Sequence, residues 1–173
     1  ARPLVGVTRL LALVTPTSGR AALCAAGKTE DISPALRANF TYVPQGNTLM
    51  SGTLRDNLRL GKLSATDEEM YEALHLACAD FVDNLAQGLD TPCSEAGGGL
   101  SEGQAQRIAI ARGLLRKAPV MLLDEVSASL DPATERALLD RLFAECSDRT
   151  IICVTHKAET ASRCGEIFQL NLV

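Results

Sequence analysis

The sequence predicts an α/β protein built on a parallel sheet, with a helical insert between two parts of the core. Three observations lead there: short Val, Ile and Leu runs bounded by turn residues, helical spacing between those runs in the second half, and a long central stretch lacking a buried-strand pattern. The runs are Leu4 to Val7, Val120 to Leu123, Ile151 to Val154 and Ile167 to Leu172, each read as a strand buried on both faces. Helix starts are marked by chemistry. Thr66 with Glu69, and Ser101 with Gln104, match the capping box, while Asp131 before Pro132 supplies an N-cap and a first-turn proline. The helix after Pro132 places Leu138, Leu139, Leu142 and Phe143 on one side, with Glu135, Arg136, Asp140 and Arg141 largely elsewhere. Residues 1–46 and 114–173 are therefore assigned to the α/β core and 47–113 to the helical subdomain, all within one domain.

Composition narrows the function. At 173 residues and 46% hydrophobic content, the chain suffices for one compact domain with a sizeable core. A net charge of −4 provides no overall basic field, and 3% aromatic content without tryptophan provides no base-stacking surface, so nucleic acid is not the expected partner. No apolar run approaches the roughly 18 residues needed to span a bilayer, no secretion signal opens the chain, and a soluble, cytosolic domain is expected. Six cysteines without a C-x-x-C pair, and only His75 and His156, disfavour zinc. The cysteines are read as small buried hydrophobes and His75 as a helix-surface histidine.

The strongest local signal is Val120-Met121-Leu122-Leu123-Asp124-Glu125, an apolar strand ending in two acids where α/β sheets gather their ligands. One carboxylate there can hold Mg²⁺, and its neighbour can orient or deprotonate a water that attacks a phosphate. An acidic turn after a core strand is the plain alternative. Upstream, Gly97-Gly98-Gly99-Leu100-Ser101-Glu102-Gly103-Gln104 leads into a helix through Gln106 to Arg112. Free N–H groups and the helix dipole at such a start favour an anion by roughly 0.3 to 2 kcal/mol, and the Ser101 hydroxyl can add a donor.

Together these motifs resemble an ABC transporter ATP-binding domain of the exporter type. Leu100-Ser101-Glu102-Gly103-Gln104 looks like the signature motif, with Glu102 replacing a glycine-like position, and the run to Asp124-Glu125 resembles its link to Walker B. Tyr42-Val43-Pro44-Gln45 resembles the Q-loop, Ser129-Leu130-Asp131 the D-loop, and Val154-Thr155-His156 the switch histidine. The resemblance implies a P-loop NTPase (RecA-like) core with a helical subdomain, ATP and Mg²⁺ as cofactors, and a Mg-dependent ATPase that drives transport. It assigns Asp124 and Gln45 to the metal, Glu125 to the attacking water, His156 to the γ-phosphate, and Gln45, Ser101, Gly103, Gln104 and Asp131 to nucleotide binding. It also implies a second ATP-binding domain, identical or not, as partner, a transmembrane domain fused upstream, and a place at the cytoplasmic face of the membrane. Ser51 to Leu58 and Gly88 to Glu95 look most like exporters, in which Glu95 falls on a loop touching the transmembrane coupling helices.

One part of the pattern is missing. The family's Walker A loop, G-x-x-x-x-G-K-[ST], cradles the phosphates with backbone N–H groups, and no such segment occurs here. Gly27-Lys28-Thr29 imitates its end but follows Pro16-Thr17-Ser18-Gly19, which resembles the turn beyond the P-loop helix, and is rejected. The loop belongs between Val7 and Thr8, where a strand and a helix would abut without the usual connection of about 2 to 6 residues. The sequence is read as having lost the loop there, along with the N-terminal strands and the adenine-stacking aromatic. The alternatives are a catalytically silent regulatory domain, or a soluble ABC ATPase acting on nucleic acid or the ribosome, against which the acidic balance counts.

Overall fold

The computed structural model describes residues 11, 13, 21–25, 27–94 and 99–169. The expected strand Leu4 to Val7, the Val7-Thr8 junction, Pro16 to Gly19, Glu95 and Gly97-Gly98 lie outside them.

Three parallel strands form the sheet: β3 (Phe40–Val43), β6 (Val120–Asp124) and β7 (Thr150–Val154), in the order β3-β6-β7. Phe40 pairs with Val120 and Val43 with Leu123, while Val120 pairs with Thr150 and Asp124 with Val154. All five β6 residues are buried, as a central strand whose first four side chains, Val, Met, Leu and Leu, are apolar should be. Strand β7, paired on one side only among the described residues, is half-buried, and Thr150 is exposed. That departs from the expected burial on both faces.

Side chains alternate across the sheet. Val43, Met121 and Leu123 belong to the large core shared with the helices, whereas Phe40, Val120 and Leu122 pack on the opposite face with Tyr42, Ile152 and Val154. A hairpin of β1 (Ala22–Ala25) and β2 (Lys28–Asp31) precedes β3, and Leu23 packs on that second face. Gly27-Lys28-Thr29 forms its turn and second strand, with Gly27 at φ +74°, a geometry unlike a loop opening a helix. Ile167, Phe168 and Gln169 are exposed and outside any strand, correcting the expected terminal strand; the rest of that run lies outside the described residues.

The helices follow their caps. A capping box at Thr53 and Asp56 starts α1 (Leu54–Arg59), and Thr66 with Glu69 starts α2 (Asp67–Leu76). Short strands β4 (Gly52–Thr53) and β5 (Pro92–Cys93) pair antiparallel. Ser101 and Gln104 start α3 (Glu102–Leu115), and Asp131 starts α4 (Pro132–Glu145) by accepting from the N–H groups of Ala133 and Thr134. Helix α5 (Ala158–Ser162) follows β7.

Helix α3 organises the rest. Ala105, Ile108, Ala109, Ile110, Ala111, Leu114 and Leu115 are all buried, so it is apolar around most of its circumference, as a helix enclosed by neighbours must be. It packs on α1, α2 and β3. Its closest approach to the sheet uses Gly113, where a Cβ would stand 2.9 Å from Val43 Cγ2 and 3.1 Å from Thr41 Cγ2. Gly113→Val should therefore overpack the helix–sheet contact and cost about 1–3 kcal/mol. A urea unfolding midpoint equal to that of the native chain would show that the sheet yields freely there.

Candidate functional site

The site gathers at the C-terminal edge of the sheet. Residues 120, 122 and 124 of β6 share a face, so Asp124 emerges beside Tyr42, which shares that face from β3. The Tyr42 hydroxyl donates to Asp124 Oδ2 at 3.0 Å, and Asp124 is only 6% exposed. Burial, then the hydrogen bond and charge of Asp124, push the Tyr42 phenol up to about 12. The aspartate is thus fixed through Oδ2 by a neutral donor.

Glu125 leaves the sheet in a left-handed conformation, φ +48°, which costs a non-glycine residue on the order of 1–2 kcal/mol. Its N–H donates to Val154 O at 2.9 Å, fixing the turn to β7. Its Oε1 lies 3.3 Å from His156 Nδ1, and the His156 side chain is 71% exposed. A carboxylate and an imidazole therefore meet at the strand edge next to a buried aspartate. Observed strain at such a place is a pointer to function.

Below this pair lies a network that the sequence pattern did not reveal. Lys157 Nζ donates to Ser127 O at 2.8 Å and to Glu135 Oε2 at 2.6 Å, and the Thr160 hydroxyl donates to Glu135. The loop carrying His156 is thereby bound to the loop between β6 and α4. Glu135 is 7% exposed, correcting its expected place on the outer side of α4. Its helical spacing from Leu138 and Leu142, at i+3 and i+7, carried the signal.

The start of α3 is built from its own cap. Ser101 Oγ accepts from the Gln104 N–H at 3.2 Å, and Gln104 Oε1 accepts from the Ser101 N–H at 2.9 Å. The Ser101 O–H hydrogen stays free for an anion, but the Glu102 carboxylate in the first turn offsets part of the helix dipole. At Gly103 a Cβ would stand 2.7 Å from Ser129 O, so a side chain there would first disturb its own chain. Asp131 spends Oδ1 on capping α4. Gln45 is exposed in the bend after β3, at the same sheet edge as Asp124. Helix α3 covers the Val43, Met121 and Leu123 face, opposite the one bearing Tyr42 and Asp124.

His75, exposed on α2, has Nδ1 2.6 Å from Asp80 Oδ1, away from this edge. Cys78, Cys93 and Cys146 are buried as expected, whereas Cys24 is exposed and Cys153 and Cys164 are half-buried. Among the described residues no three His, Cys, Asp or Glu side chains converge as a metal cage. The donor set suits Mg²⁺ nonetheless, since that ion takes one or two carboxylates and completes its shell with phosphate and water. The phosphate-gripping half does not fit equally, because no glycine-rich lysine loop occurs in the sequence.

A parallel sheet with acids at its C-terminal edge, a capped helix across the opposite face and a histidine after the next strand give the mixed α/β architecture of the P-loop NTPase class, although the sequence carries no P-loop itself. The ABC transporter family profile matches residues 7–128, and the chain belongs to that family. A Staphylococcus aureus protein named for multidrug export, an ATP-binding/permease protein, is 38% identical over 87% of this chain and 26% of its own length. The glutathione/L-cysteine transport system ATP-binding/permease protein of Haemophilus influenzae is 42% identical over 78% of this chain and 23% of its own. A solved bacterial Atm1-family ABC exporter with ATP bound superposes with a TM-score of 0.81 at 34% identity, covering 91% of this chain and 28% of that one. The chain spans about a quarter of the length of the curated relatives it matches. Among the described residues no helix is long and apolar enough to cross a membrane.

The Glu135 network makes a pH-dependent prediction. Burial pushes the Glu135 carboxyl up, but Lys157, Thr160 and Ser127 outweigh it and hold the group below its ordinary 4.5. Its contribution is therefore complete above pH 4.5 and lost as pH falls through the lower folded value. Lys157→Met should cost about 1–3 kcal/mol at neutral pH, discounted from a fully buried pair because Lys157 is partly exposed. The deficit should shrink at acid pH, below the lowered folded value, where Glu135 takes a proton. Denaturant midpoints of both proteins at the two pH values check this, and a deficit independent of pH would assign the loss to packing alone.

Proposed function

We propose that the chain is the ATP-hydrolysing domain of an ABC exporter, works at the cytoplasmic face of a membrane beside a transmembrane domain, and encloses Mg-ATP between itself and a second ATP-binding domain. The observation that carries this reading is the Glu125–His156 contact at the strand edge beside buried Asp124. In it, Asp124 and Gln45 hold the metal, with the Tyr42 hydroxyl fixing the aspartate. When bound, Mg²⁺ would neutralise charge on the phosphates. Glu125 orients the attacking water and accepts its proton, and His156 steadies both Glu125 and the γ-phosphate oxygens.

The two faces of the sheet support a shared site. The Ser101 end of α3 belongs to the face opposite Asp124, so Ser101, Gly103 and Gln104 serve a nucleotide held by the second domain, with Asp131 shaping the loop between. Two domains related by a twofold axis complete each other's enclosure. A silent regulatory domain is the second reading, favoured by the absence of G-x-x-x-x-G-K-[ST] from the sequence.

ATP turnover separates them. Glu125→Gln should slow hydrolysis by about 10² to 10⁴, roughly 2.7 to 5.4 kcal/mol in the barrier, with ATP binding nearly intact. Asp124→Asn should instead weaken the Mg²⁺ dependence of binding. Turnover within a few fold of the native rate in the glutamine variant would refute the role of Glu125, and a native protein without turnover would establish the silent domain.

A further inference from the structure

Helix α3 touches the segment that carries Gln45 at three points. Gln106, 1% exposed, donates from Nε2 to Pro44 O at 3.1 Å. Arg112 donates to Thr48 O at 3.1 Å and to Thr48 Oγ1 at 2.7 Å. Gly113 lies against Val43. Positions 106 and 113 are two turns apart and share the helix face that meets Pro44 and Val43, while Arg112, on the flank beside Gly113, reaches Thr48. Gln45 lies between the two bonded residues, and Ser101 begins the same helix. Among the described residues the buried Gln106 Oε1 has no hydrogen-bond partner, and the side chain's bond there is the one to Pro44.

We propose that Gln106 and Arg112 are positioning residues that join α3 to the Pro44–Thr48 segment as one mechanical body. The group that Gln45 presents to nucleotide in its own site, and the group that Ser101 presents to nucleotide on the second domain, then move together. This deepens the proposed function and rests on it for those two contacts; the brace itself does not. No side chain of the brace needs to touch nucleotide. It acts by denying residues 45–47 a conformation independent of α3, so a shift at either end is transmitted through two hydrogen-bonded anchors and one tight packing contact.

The test removes one anchor from each side. Gln106→Met keeps the length and apolar stem but cannot donate to Pro44, and Thr48→Val removes the Oγ1 acceptor of Arg112 while leaving α3 untouched. In each variant, amide hydrogen exchange of residues 45–50 should accelerate about tenfold or more, with α1 and β6 as protected as in the native chain. Unchanged exchange at 45–50, or acceleration spread evenly over α1 and β6, would overturn the brace. In the exporter that carries this domain, kcat for ATP should fall about tenfold with KM within about twofold, the pattern of lost positioning. Equal loss through KM alone, or native kcat despite loosened 45–50, would overturn the coupling. If the native exporter shows no turnover, the hydrolysis reading fails, and exchange alone decides the brace.

Discussion

The structure depends on the double pairing of one buried strand. Because β6 is bonded on both sides, to β3 and to β7, its register fixes where both neighbours end: Val43, Leu123 and Cys153 lie level, and β6 and β7 run one paired residue further, to Asp124 and Val154. The three exits that follow, at Pro44, Glu125 and Thr155, must therefore leave the sheet at one edge. Period-two alternation then decides chemistry: Leu122 faces away from α3, so Asp124 does too, and Tyr42 is the only β3 residue on that face near enough to reach it. A one-residue slip of β3 would send the phenol into the helical core and leave the carboxylate buried without its donor.

A second constraint works on the loops. Buried polar groups must find partners, and Glu135 finds three from two separate segments, Lys157 and Thr160 after β7 and Ser127 after β6. That need ties the histidine loop to the turn after Glu125. Removing a partner would leave a charge in a nearly closed space, which costs more than the bond itself is worth. The exposed His156 ring is thus followed directly by an anchored residue, Lys157, although the ring itself is open among the described residues.

Much of this was legible because local chemistry and tertiary need agreed. The caps at Thr66, Ser101 and Asp131 act as their residues predict, and the Val120 to Asp124 run is the buried central strand. Legibility failed where the pattern was short or its partner distant. Strand β3, Phe-Thr-Tyr-Val, is not among the expected strands, because four residues are too short a run to stand out until β6 is beside them. Glu135 was placed outside because charge outvoted spacing, and its cation lies 22 residues away. Ile167 and Phe168 were misread in the opposite sense, since an apolar run is a strand only when something pairs with it. Contacts of Tyr42 and Gln106 depend on register and on helix placement, which no motif encodes.

The two faces of the sheet also separate two duties that the sequence motifs list side by side. Whatever Ser101 does, it does from α3, whose seat is the Val43, Met121 and Leu123 face and whose cap is complete within residues 101–104. Whatever Asp124 does, it does from the other face, with Tyr42. A phosphate loop would serve the Asp124 side, because that is where a bound phosphate would share the cation. Its absence from the sequence bears on that side directly, whereas α3 keeps its cap, its buried circumference and its anchors to Pro44 and Thr48. Under the shared-site reading, the groups this chain offers to a nucleotide on the second domain therefore include no part of its own phosphate loop, and the anchors at Pro44 and Thr48 link them to its own site only through the position of Gln45.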